Sequence, residues 1–151
     1  ISMADGVVAL SCSMAGVALG GLCAARLPMM LALIIGACAS AIGNWVFVWL
    51  WYAEPSALVL YVAAGVDQFG HGLEGAVFVV YLSMLVSPRY PGTQYAFLSG
   101  FAFLLPRLVG GAAGAIQKQI GYDGFFILSG ALSLAAIFFL PIVMRVRART
   151  A

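Results

Sequence analysis

Asp67, His71 and Glu74 stand at offsets of zero, four and seven residues within an otherwise apolar stretch. On a helix turning 100° per residue they fall within an arc of about 60°, so all three share one face. Two carboxyls with an imidazole one turn away can exchange protons near neutral pH, and such groups inside a membrane mark ion or substrate pathways. Phe78 and Tyr81 continue the same stripe. Arg107, in the next apolar stretch, is about as deep as Asp67 if the two helices are antiparallel, each residue adding ~1.5 Å. Depth therefore predicts that Arg107 pairs with Asp67, or failing that with Glu74. A metal site is not indicated, because one helix face offers too few ligands and His71 is the only histidine.

The elements that must carry these groups are membrane helices. Of the 151 residues, 64% are hydrophobic and 8% charged, with a mean hydropathy of +1.10. Too few charges are present to coat a water-soluble globule, so most of the surface must meet lipid or other protein. The formal net charge of +2 is too small to argue for nucleic acid. Cys12, Cys23 and Cys38 lack the spacing of a zinc site or a disulfide framework. No Ser-His-Asp arrangement, HExxH or phosphate-cradling glycine loop is present, so an enzyme is not expected, and no cofactor is implied.

Five apolar segments are each long enough to cross ~30 Å of hydrocarbon as a helix, at about 6–25, 28–51, 56–86, 92–116 and 124–144. Continuous apolar runs, without alternation over ~10-residue units, exclude barrel strands. The fold class is thus an all-α, polytopic transmembrane bundle. Short connections, including residues 52–55, 87–91 and 117–123, make consecutive helices antiparallel neighbours. Arg26, Arg89 and the tail arginines Arg145, Arg147 and Arg149 gather on one side, with Lys118 on the other, which places the C-terminus in the cytoplasm. Ile1 opens the chain with no basic n-region behind it, so the chain is read as a piece of a longer protein with at least one preceding helix.

The five segments are unequal in polarity. The second holds only Asn44 among strongly polar side chains, and the fifth only Ser129 and Ser133, so both can face lipid. The third cannot. Val, Leu and Phe of residues 61–80 supply roughly −2 to −5 kcal/mol of insertion energy, against about +5 to +7 kcal/mol for two ionised carboxylates at the centre. Its charged face needs partners or water. Gly16 with Gly20, and Gly110 with Gly114, permit close helix approach. Pro106 predicts a kink just before Arg107. Trp45, Trp49, Trp51 and Tyr52 form an interfacial belt at the end of the second helix.

The run Gly72-Leu-Glu-Gly-Ala-Val-Phe-Val-Val-Tyr-Leu-Ser-Met-Leu85, then Thr93-Gln-Tyr-Ala-Phe-Leu-Ser99, Arg107 and Gly110 to Gly114, resembles the C-terminal half of AmpG-type muropeptide permeases of the major facilitator superfamily. The acetyl-coenzyme A transporters share the pattern more loosely. The resemblance implies helices eight to twelve of a twelve-helix transporter, with the second and fifth segments in the peripheral ninth and twelfth places. The family's cytoplasmic loop motif Gly-Gly-x-x-x-Asp-Arg-x-Gly is similar to Gly20-Gly21-Leu22-Cys23-Ala24-Ala25-Arg26-Leu27-Pro28, with Ala25 for the acid and Pro28 for the last glycine. It implies proton-coupled import of anhydromuropeptides across a bacterial inner membrane, by alternating access between this bundle and the missing N-terminal helices.

On that resemblance Asp67, His71, Glu74 and Arg107 would face the central cavity, with at least one carboxylate carrying the coupling proton. Tyr81 and Gln94 are weaker candidates for lining the path. Two alternatives remain: a facilitator for another solute, such as a relative of the acetyl-coenzyme A transporters, and a membrane interaction module with no transport. What separates transport from assembly is whether the charged face of the third helix meets a water-reachable cavity or is sealed by its neighbours.

Overall fold

The computed structural model describes the backbone of residues 2–54, 56–87 and 89–150, and within these the side chains of all but 2–5, 105, 109, 136 and 140–150. Four helical elements follow one another: α1 (Ser2–Arg26), α2 (Met29–Tyr52), α3 (Ala57–Leu85) and α4 (Pro91–Thr150). No strand occurs among the described residues. Pro28, at φ −54° and ψ 134°, and Ser56, in extended conformation, stand immediately ahead of α2 and α3. Proline disfavours helix in the residue before it, which ends α1 near Arg26 and Leu27.

The polar helix is the centre of the bundle. α3 packs extensively on α1 and α2, whereas α1 and α2 scarcely meet. Three stretches are long and apolar enough to cross a membrane: Gly6–Arg26, Met29–Tyr52 and Pro91–Phe139. α3 is not among them, although it has 29 residues. Asp67, Gln68, His71 and Glu74 lower its hydropathy, and protein neighbours on two sides keep much of such a helix out of lipid.

Contact register fixes the helix directions. Gly65 lies by Cys12, Gly16 by Phe69 and Leu73, and Gly20 by Leu73 and Ala76, so α1 and α3 run parallel. Gly43 meets Asp67, Ala39 meets Gly70 and Gly36 meets Glu74, so α2 runs antiparallel to α3. At each crossing a missing side chain lets backbone approach backbone, which is the contact that holds helices together where lipid removes the hydrophobic drive. Gly16 and Gly20 thus make the approach their spacing predicts. Gly110 and Gly114 have open space around them.

α4 covers both of the last two expected segments. Its single non-helical residue is Gly121, at φ 78° and ψ 174°, inside the expected connection 117–123. Gln117, Lys118, Gln119 and Ile120 all support helix, so only the glycine breaks it. The backbone dihedrals stay helical through Pro106, and α4 departs from them at Gly121. A helix of 60 residues would be about 90 Å long, three times the hydrocarbon thickness, so the two arms on either side of Gly121 are the units to compare with a membrane. Gly121→Ala is expected to cost about 1 kcal/mol or more, since an L side chain is disfavoured at this φ. Unfolding of the detergent-solubilised chain by a denaturant series measures the cost.

The arms differ in packing. The second lies antiparallel on α2, with Phe126 stacked on Phe47 at 4.9 Å, Tyr122 stacked on Trp51 at 5.8 Å and Gly130 beneath the Trp45 indole. α2 is therefore not a helix left to lipid on all sides. Ala32, Gly36, Ala37, Ser40, Ala41, Gly43 and Asn44 are buried, and they form the small-residue stripe that admits its neighbours. The first arm meets α3 at little more than the edge-on pair Phe78–Phe103, centroids 6.4 Å apart. Pro55 and Pro88, in two of the expected connections, and the side chains of Arg145, Arg147 and Arg149 lie outside the described residues.

Candidate functional site

The helical spacing of α3 brings Asp67 and His71 together. His71 Nε2 lies 3.4 Å from Asp67 Oδ1, and this is the one ion pair found among the described residues. The two side chains differ in access: that of Asp67 is 15% exposed and that of His71 51%. A nearly sealed carboxyl is thus joined to an imidazole at the surface of the chain, a pair that can pass a proton between a protected group and an accessible one. The face is neither sealed nor fully open.

α2 supplies the wall behind the acids. A Cβ placed on Gly43 would lie 2.8 Å from Asp67 Cα and 3.0 Å from its Oδ1. A Cβ on Gly36 would lie 3.1 Å from Glu74 Cα. Seven residues separate the glycines on one helix and the acids on the other, so each acid has its own seat. Ser40 and Asn44 are buried on the same helix, and the Asn44 amide donates to the Ser40 carbonyl at 3.0 Å. Sequence reasoning marked Asn44 only as an isolated polar residue. The repeat Gly36, Ser40, Gly43, Asn44 is the signal that would have revealed the seam.

Arg107 does not pair with Asp67 or Glu74. It is exposed on the first arm of α4 and forms no ion pair among the described residues, while His71 takes the place beside Asp67. Depth alone cannot bring two helices together, and this arm meets α3 only lightly. Arg107 instead lines an open cleft of about 520 Å³ along its own helix, with Tyr95, Ser99 and Phe103.

The remaining candidates have local roles. Gln94 Oε1 accepts the Ser87 backbone N–H at 2.8 Å, which ties the end of α3 to the start of α4. Gln94→Ala is expected to loosen this turn by about 1 kcal/mol, seen as faster amide exchange at Ser87 with the Asp67–His71 contact unchanged. Tyr81 is half-buried beyond Phe78 on α3. On α1, Gly20 is buried against α3, Gly21 has nothing near it, and Arg26 is exposed in the last turn. No group of three or more metal-ligating side chains occurs among the described residues.

Long apolar helices packed with a polar one define an integral membrane protein. Comparison with known proteins narrows the class. The chain is 31% identical over 131 residues, 87% of its length, to "Putative transporter AmpG 4" of Rickettsia conorii, and 32% identical over 121 residues, 80% of its length, to the protein of the same name in Rickettsia felis. It is 28% identical over 104 residues to "Putative transporter AmpG 2" of Rickettsia typhi, covering 67% of this chain and 26% of that one. The chain is homologous to AmpG-type transporters, and it spans about a third of the length of the first two, 32% and 29%. These are names of transporters and not of enzymes, in keeping with a sequence that carries no catalytic motif. No family model and no solved structure matches the chain.

Proposed function

We propose that the chain is part of a proton-coupled secondary transporter of the major facilitator superfamily, in which it supplies helices of the C-terminal bundle. The transporter imports a small solute across a bacterial inner membrane by alternating access, with anhydromuropeptides as the cargo and the C-terminus in the cytoplasm. Asp67 with His71 forms the proton carrier, Glu74 tunes it from the next turn, and Arg107 meets the cargo or the other bundle. The observation that carries the reading is the Asp67–His71 pair, half sealed and half open, on the one helix whose polarity demands a protein environment.

The transport class rests on homology to AmpG-type proteins. The coupling step rests on the chemistry of the pair. The test uses the whole transporter in proteoliposomes with a pH-sensitive dye inside. Adding muropeptide outside, with no imposed gradient, should acidify the lumen as substrate enters. Uptake without acidification would remove proton coupling and leave facilitated diffusion.

A further inference from the structure

We infer that Gly43 of α2 is a positioning residue for the Asp67–His71 pair: its bare backbone is the seat that holds Asp67 Oδ1 toward the imidazole. This rests on the reading of that pair as the proton carrier, and it adds a helix that the reading otherwise leaves as scaffold.

Three observations converge on one atom. Asp67 Oδ1 is the oxygen facing His71 Nε2, at 3.4 Å. The same oxygen lies 3.0 Å from where a Cβ of residue 43 would stand, and Asp67 Cα lies 2.8 Å from that point. The Asp67 side chain is mostly buried, so it has little room to swing elsewhere. A methyl group at position 43 presses directly on the carboxyl, and the carboxyl can yield only by changing its contact to His71.

Gly36 provides the internal comparison. It seats Glu74 in the same way, with a Cβ position 3.1 Å from Glu74 Cα and 3.7 Å from Cγ, but it touches neither member of the pair. Alanine there opens the same helix seam without pressing on Oδ1. The charged group acting on the pair is Glu74, on α3 itself. The buried polar residues of α2, Ser40 and Asn44, are not titratable, and α1 brings the Cys12 thiol near Gly65.

The inference is tested without transport, so its failure and that of the coupling mechanism can be told apart. His71 in the detergent-solubilised protein is modified with diethyl pyrocarbonate across a pH series, and the rate at His71 is read by peptide mass spectrometry. The expected result is that Gly43→Ala and Asp67→Asn move the midpoint of the profile in the same direction, by about half a pH unit or more. Gly36→Ala should leave it in place. Their double variant, Gly43→Ala with Asp67→Asn, should move it no further than Asp67→Asn alone, because both changes act on His71 through the same carboxylate. A Gly43→Ala profile that superimposes on the native one, or an equal shift from Gly36→Ala, overturns the inference. Should Gly43→Ala fail to fold, the readout becomes recovery of the folded state when Asp67→Ala is added. Recovery supports the seat, and its absence overturns it.

Discussion

Gly72→Leu is expected to separate α1 from α3 and to abolish the assembled bundle. A Cβ at position 72 would run into the Ser13 carbonyl, which is backbone of the facing helix and cannot swing aside. Gly16 makes the reciprocal contact from α1, against the Phe69 carbonyl. Overpacking a filled interface costs about 1–3 kcal/mol when side chains can adjust, and more where the obstacle is a main chain. In a bilayer no hydrophobic drive between helices offsets the lost contact. Unfolding in mixed micelles by a detergent titration should show Gly72→Leu unfolded where the native chain is folded. Gly21→Ala, on the open side of α1, should match the native chain. A normal transition for Gly72→Leu would mean that the α1–α3 crossing is not a close one.

The two glycine pairs illustrate what the sequence could and could not disclose. Gly16 with Gly20 and Gly110 with Gly114 have the same spacing, and spacing alone ranks them equally. Only the first pair finds a helix to approach. What distinguishes them is the partner, since Gly70 and Gly72 on α3 are matched by small or backbone surfaces on α2 and α1, and nothing comparable faces the first arm of α4. Helix existence was legible, because continuous apolar runs need no tertiary information. The connection at 117–123 was legible too, but not which residue turns the chain: Gly121 is a modest signal among eighteen glycines, and its positive φ makes it the turn of α4.

The site divides in the same way. Asp67 and His71 were legible as neighbours because an offset of four is fixed by the helix itself. Arg107 was misplaced because its pairing needed a contact between two helices, which depth does not supply. The α2 seam was hidden for a different reason. A helix with one strongly polar side chain looks fit for lipid, yet its small residues at 36, 40 and 43 are what bring α3 within reach. Absence of side chain, not presence of charge, carried that information.

Asp67→Asn in the whole transporter should abolish uphill accumulation while leaving exchange of solute for solute within a few-fold of native. The amide keeps the shape of the carboxyl and can still meet His71 Nε2, but it cannot take up and release a proton. One elementary charge crossing 100 mV is worth about 2.3 kcal/mol, equivalent to an accumulation ratio of about 50. That ratio should fall to about 1 in the variant, since a site that no longer cycles a proton has lost its link to the gradient. Counterflow needs no net proton movement, so it reports whether the protein still folds, binds and reorients. Glu74→Gln separates the roles of the two acids. Glu74 is seated at Gly36, one turn beyond His71, and lies outside the pair itself. It should therefore slow uptake and keep a ratio well above 1. If Glu74→Gln collapses the ratio while Asp67→Asn preserves it, the carrier is Glu74, and the Asp67–His71 pair is left with a structural role between α2 and α3.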